Sequence, residues 1–113
     1  MKKFDKVRYQ AMAAVSKALA HPTRLYIVEN LKEKSCSVGE LTDMIGDDIS
    51  TVSKHLHILK QNGIVTDQKQ GNQVFYKLLC PCVLNIFNCV LDVIQTNTTT
   101  SLNLLSRTGR NIR

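Results

Sequence analysis

The spacing of apolar residues changes along this chain, and the changes mark its elements. In residues 4–19, "FDKVRYQAMAAVSKAL", Phe4, Val7, Met12, Val15 and Leu19 recur at helical intervals with no Pro or Gly between them. His21-Pro22 stops that helix and starts a second, because Pro is tolerated at a first helical position. The second is predicted over roughly residues 22–32, burying Leu25, Ile27, Val28 and Leu31. After "EKSCS" a third helix is predicted over 38–45, with Ser37 as N-cap and Glu40 at the capping-box position. Gly46 ends it in the manner of a glycine just past a helix. Asp47 or Asp48 then caps a fourth helix with Val52, Leu56 and Leu59 facing inwards, and Asn62-Gly63 closes it.

From there the period drops from about 3.6 to 2. "IVTDQKQGNQVFYKLL" holds two extended runs around Gln70-Gly71-Asn72, the mark of a β-hairpin. Pro81 opens a final helix, predicted over roughly 81–95 and apolar nearly all round. A domain over residues 1–95 is therefore expected, followed by a polar, flexible tail over 96–113 in which Leu102, Leu104 and Leu105 form at most a weak turn. No internal repeat is visible.

Two short helices joined by a tight turn and followed by a hairpin define a winged helix-turn-helix. The fold class is mainly α with a small β-hairpin (α+β). In that arrangement the second helix of the pair enters the major groove of DNA. With Val52, Leu56 and Leu59 inwards, its outward positions include Ser50, Thr51, Ser53, Lys54, His57 and Lys60. Hydroxyls near the N-terminal end suit base edges and phosphates, and lysines suit backbone charge. The free N–H groups of the helix start favour phosphate as well. Asp47 and Asp48 fit beside DNA only if they cap the helix and point away from the groove. The hairpin tip, Lys69, Gln70, Asn72 and Gln73, is placed to reach an adjacent minor groove or backbone. The competing reading is that Lys54, His57 and Lys60 form an ordinary solvated face. The ordered series of elements and the net charge weigh against it.

That charge is +6, from 15 Lys and Arg against 9 Asp and Glu, and it favours a polyanionic partner. At 113 residues the chain is long enough for one core and short for a catalytic cleft. Lys2 and Lys3 are not followed by an apolar run of signal-peptide length, and no apolar stretch reaches roughly 18 residues. A cytoplasmic protein with reduced thiols is expected. Its 4 cysteines then point to metal binding, redox chemistry or packing rather than disulfides.

"LAHPTRLYIVENL" (19–31), "SVGELTDMIGDDISTVSKHLHILKQNGIV" (37–65) and "KQGNQVFYKL" (69–78) resemble the ArsR/SmtB family of small winged-helix repressors. The most specific part is "STVSKHLHILKQNGIV", which matches the family's recognition helix position by position. The resemblance covers about residues 5–95. It implies a homodimer, joined through the first and last helices, that binds operator DNA and releases it when a metal ion, metalloid or oxidant modifies the protein. The last helix agrees: Val83, Leu84, Ile86, Phe87, Val90, Leu91, Val93 and Ile94 occupy more than one face, and the surplus predicts burial against another chain.

The family's sensor sites differ among members. Residues 80–95 contain no His and only Asp92 as an acid, so the zinc site on the last helix is absent. The paired cysteines at the start of the third helix are half present, as Cys36 between Ser35 and Ser37. Cys80, Cys82 and Cys89 remain, and soft thiolates suit As(III), Sb(III), Cd(II) or Pb(II). Cys82 in the first turn and Cys80 near the N-cap stand where a helix dipole favours thiolate, with Lys77 nearby. Cys82 and Cys89 share a face, but at 1.5 Å per residue their Cα atoms are about 10.5 Å apart. That exceeds the roughly 4.4–6.8 Å of a disulfide, and one ion needs its sulfurs within about 4 Å.

Three arrangements remain. The helix is unwound up to Cys82, Cys36 is the third ligand with Cys80 and Cys82, or antiparallel last helices place Cys82 of one chain beside Cys89 of the other. Cys89 and Cys36 also have a plain packing reading, since Cys is often buried. The function expected is thus a homodimeric repressor that leaves operator DNA when Cys80, Cys82 and Cys89, or Cys36, bind a soft metalloid such as As(III). No obligatory cofactor and no membrane partner are expected. The alternatives are a thiol-redox or sulfane-sulfur switch, an architectural DNA-binding protein with inert cysteines, and a thiol enzyme. The enzyme is disfavoured because Cys80-Pro81-Cys82 is not Cys-x-x-Cys and no Gly-rich phosphate loop is present.

Overall fold

Helix ends in this chain are set by short side chains that satisfy the first free N–H groups. In the computed structural model, which describes residues 3–97, Asp5 accepts from the Arg8 N–H at 3.1 Å and starts helix α1, Lys6–Leu19. His21 caps α2, Pro22–Leu31, through its ring Nδ1, and Pro22 stands at the first position as expected. A short strand β1, Cys36–Ser37, leads into α3, Val38–Ile45. There Ser37 and Glu40 form the expected capping box, at 2.8 and 3.1 Å. Gly46 takes the left-handed φ of 80° that ends α3 with almost no linker before the next helix. Asp48, rather than Asp47, caps α4, Ile49–Gln61, by accepting from Thr51 N–H at 2.8 Å.

Strands β2, Val65–Gln70, and β3, Gln73–Leu78, pair antiparallel from Val65↔Leu78 to Gln70↔Gln73. The loop between them is Gly71-Asn72. Gly71 supplies the one positive φ, 65°, that a two-residue turn with Gly first requires. β1 adds to the other edge of β3 through Cys36↔Tyr76 and Ser37↔Phe75, so the hairpin sits in a three-stranded sheet of order β1-β3-β2. The final helix α5 spans Val83–Asn97.

The chain divides into a unit that ends at Pro81 and a unit that starts at Cys82. In the first, α4 packs on α2, α3 and β2. Its inward row Val52, Leu56 and Leu59 is fully buried, with Ile27 and Val28 of α2, Leu41 of α3, and Val65 of β2. Leu25 departs from expectation and is exposed, because it lies about 110° round α2 from the middle of the Ile27–Val28–Leu31 row. The apolar residues of α1 depart further. Only Leu19 of the expected set is buried; Phe4 and Val7 are 76% exposed, and Met12 and Val15 are exposed too.

In the second unit, α5 begins two residues later than expected. Pro81 and Cys82 form a turn, and the Cys82 carbonyl accepts from Asn85 N–H at 3.0 Å. The helix also runs past residue 95, because the Thr96 hydroxyl bonds back to the Asp92 carbonyl at 2.9 Å in its last turn. The rest of the expected tail, with Leu102, Leu104 and Leu105, lies outside the described residues. On α5, Ile86, Val90 and Val93 form one exposed apolar stripe, while Leu84, Phe87, Leu91 and Ile94 are half-buried on the opposite side. Leu56→Ala, which empties the centre of the first unit's core, should cost about 2–5 kcal/mol in chemical denaturation without altering the oligomeric state.

Candidate nucleic-acid interface and thiols

Burying Val52, Leu56 and Leu59 fixes the rotation of α4, and with it the residues that meet solvent. The exposed arc is Ile49, Ser50, Ser53, Lys54, His57, Lys60 and Gln61. Five of the six helix positions expected outwards are therefore on it. The sixth, Thr51, is half-buried on the other side of the helix, with its N–H held by Asp48. Gln61 was not among the expected positions, although helical spacing places it between Lys54 and His57 on the wheel.

The two acids at the start of α4 are tied down. Asp48 accepts from both the Ser50 hydroxyl, at 2.6 Å, and Thr51 N–H, and Asp47 accepts from Asp48 N–H at 2.9 Å. The bond from the Ser50 hydroxyl, then that from Thr51, holds the Asp48 carboxyl below the usual carboxylate range. Lys60 is engaged as well: its Nζ stands 3.0 Å from each carboxylate oxygen of Asp67 on β2. An exposed pair of this kind contributes only about 0–1 kcal/mol, but it fastens the end of α4 to the base of the hairpin. Tyr76, opposite Asp67 across the ladder, has its hydroxyl pushed up, first by burial and then by the Asp67 charge. At the tip, Lys69, Gln70, Asn72 and Gln73 are all exposed.

A second cluster lies behind α4. His55 points inwards; its ring centroid is 4.4 Å from that of His21, and its Nδ1 is 3.3 Å from Arg24 Nη1. The Arg24 Nε is buried with no hydrogen-bond partner. Burial first, then His21 and Arg24, lowers the His55 pKa from 6.5, and Asp47 opposes this weakly. The expected surface of α4 gave no sign of this contact, whose only trace in the sequence is a His three residues after the inward Val52.

The four thiols separate into two kinds. Cys36 is 3% exposed and donates to the Lys34 carbonyl at 3.6 Å; burial, then the Glu40 charge, pushes its pKa up. Cys80, Cys82 and Cys89 are free and exposed. Because α5 starts at Val83, Cys82 precedes the first turn in which it was expected and Cys80 stands further out, and a helix dipole acts mainly within that turn. Cys89 lies beside the exposed stripe of Ile86, Val90 and Val93. Among the described residues, no group of three or more His, Cys, Asp or Glu is placed to hold one metal ion.

A helix-turn-helix with an exposed polar recognition helix and a hairpin wing defines a DNA-binding regulator. A model described as "Bacterial regulatory protein, arsR family" matches residues 21–67. The biofilm growth-associated repressor of Xylella fastidiosa is 35% identical over 89 residues, which cover 79% of this chain and 78% of that protein. The crystal structure of Mycobacterium tuberculosis Rv0081 matches with a TM-score of 0.73 and 30% identity, covering 83% of this chain and 95% of that one. The solution structure of a homodimeric winged helix-turn-helix domain, Mb0332 from Mycobacterium bovis, matches with a TM-score of 0.70 and 27% identity, covering 84% and 90%.

The chain belongs to the ArsR family of bacterial regulatory proteins, and it is a transcriptional regulator rather than an enzyme. No helix among the described residues is long and apolar enough to cross a membrane.

Lys54→Ala should weaken binding to duplex DNA and reduce the slope of log K against log salt by about one per subunit. Lys60→Ala should change that slope less, because Asp67 already holds its charge; binding titrations at several salt concentrations make the comparison. His55 gives a separate expectation. Its folded pKa lies below the unfolded value of 6.5, so its contribution is present above that pH and is lost as pH falls through the folded value. Thermal melts between about pH 7 and 5 should therefore show a steeper fall for the wild type than for His55→Gln.

Proposed function

We propose that the chain is a homodimeric repressor that binds an inverted-repeat operator and leaves it when thiols at the start of α5 bind a soft metalloid such as As(III) or Sb(III). The observation that supports DNA as the partner is the exposed arc of α4, whose neighbouring acids Asp47 and Asp48 are withdrawn into the cap while Ser53, Lys54 and His57 face solvent. Two copies of α4 related by a two-fold axis would read half-sites about one helical turn apart. Phe4, just before α1, the exposed Val7, Met12 and Val15 of α1, and the stripe Ile86, Val90 and Val93 on α5 are the surfaces that such a dimer would cover.

For the effector, the donor chemistry of three exposed sulfurs fits a thiophilic ion, although within one chain no three such groups among the described residues are placed together. Cys80 and Cys82 flank Pro81 in the sequence, and both are exposed. The third thiol then comes from elsewhere, because α5 starts at Val83, directly after Cys82, and six residues of helical rise, about 9 Å, carry Cys89 away from that start. Cys89 borders the apolar stripe, which favours Cys89 of the second subunit as that ligand. The burial and raised pKa of Cys36 disfavour it. A bound ion would draw on the link between the wing and α5, because Cys80 follows β3 by two residues. The second reading uses the same three exposed thiols as redox sensors, oxidised by a peroxide or taking up sulfane sulfur.

Operator binding by reduced protein, followed by fluorescence anisotropy with increasing As(III), tests this directly. As(III) should lower operator affinity by about tenfold or more. Cys80→Ser and Cys82→Ser should bind the operator normally and lose the response. Reduced protein that ignores As(III), Sb(III) and Cd(II) but releases DNA after peroxide or polysulfide would establish the redox reading instead.

A further inference from the structure

Among the seven exposed positions of α4, Ile49 is the apolar one, and it is 58% exposed. It is the first residue of the helix, directly after the Asp48 cap. On the wheel it lies about 40° from Ser53 and about 80° from His57, so the three share one face. Helical spacing alone places Ile49 close to the inward Leu56. The side chain nevertheless meets solvent, while Val52, three residues on, is fully buried. In a helix-turn-helix, that end of the recognition helix is the part that contacts base edges. Both carboxylates next to Ile49 are occupied by hydrogen bonds to Ser50, to Thr51 N–H and to Asp48 N–H.

An isoleucine has no hydrogen-bonding group, so it cannot read the donors and acceptors of the major groove. The groove offers one apolar feature, the C5 methyl of thymine. Ile is also stiff at χ1, so little side-chain freedom is lost on contact. We propose that Ile49 is a specificity-determining residue that packs on a thymine methyl in each operator half-site, beside the polar contacts of Ser53 and His57. This rests on the DNA-binding reading above.

The test uses the full chain and a duplex selected from a random-sequence pool. Each thymine of that duplex is replaced in turn by deoxyuridine, which removes the methyl and leaves the hydrogen-bonding edge intact. For the wild type, one thymine per half-site should show a loss of about fourfold in affinity, the worth of one buried methyl. Ile49→Ala should bind the thymine and deoxyuridine duplexes equally, and Ile49→Val should keep most of the difference. The cycle separates direct contact from any change in DNA stiffness, which would penalise both proteins alike. Indifference of the wild type to every replacement overturns the inference, and so does a full penalty retained by Ile49→Ala. If Ile49→Ala fails to fold, the wild-type scan and Ile49→Val decide the matter. A chain that selects no duplex removes the DNA-binding reading and this inference together, whereas one that selects a duplex but ignores the methyl removes this inference alone.

Discussion

The rotation of α4 about its own axis is the constraint on which the binding surface depends. Three side chains, Val52, Leu56 and Leu59, are held in the core between α2, α3 and β2. A helix has no freedom to turn one residue without turning the rest. Once those three are buried, the outward direction of Ser53, Lys54 and His57 follows. The caps act on the same element in a different way: Gly46 lets α3 end sharply, and Asp48 starts α4 after a short link.

The order and type of elements were legible because each carries a local chemical mark. The Ser37–Glu40 box, Gly46, Asn62-Gly63 and the Gly71 turn all act within a few residues of chain, so no tertiary knowledge is needed to read them. What was not legible depends on partners distant in sequence. Leu25, Phe4 and the α1 residues Val7, Met12 and Val15 look like core by spacing, yet spacing only says which residues share a face. It does not say whether anything in the same chain covers that face. The Lys60–Asp67 pair is similar: Lys60 reads as a DNA-facing lysine and Asp67 as a strand residue with no role, until the wing folds back beside the end of α4.

His55 is a different case. The spacing of α4 assigns it no role, and the pattern gives no warning that this ring lies tilted against His21 and meets Arg24. The two histidines of the segment "KHLH" therefore do different work. His57 faces solvent, and His55 joins the recognition helix to the start of α2, where His21 is itself the cap. Protonating this seam would put additional positive charge beside Arg24, so the same contact that positions α4 also makes its stability depend on pH.

The thiols mark where local reading stops for a geometric reason. Within one α-helix a separation of seven residues always returns a side chain to the same face and always about 10.5 Å away. Cys82 and Cys89 would be aligned but unable to share an ion or a disulfide if one helix held both; α5 instead starts at Val83, so Cys82 lies in the turn before it and Cys89 alone of the two is on the helix. There Cys89 borders Ile86, Val90 and Val93, exposed side chains whose burial needs a second apolar surface. One thiol and an exposed apolar stripe thus fall on one side of α5. An effector drawing on both would act on the assembly of the dimer, and through it on the spacing of the two copies of α4, rather than on any residue that touches DNA.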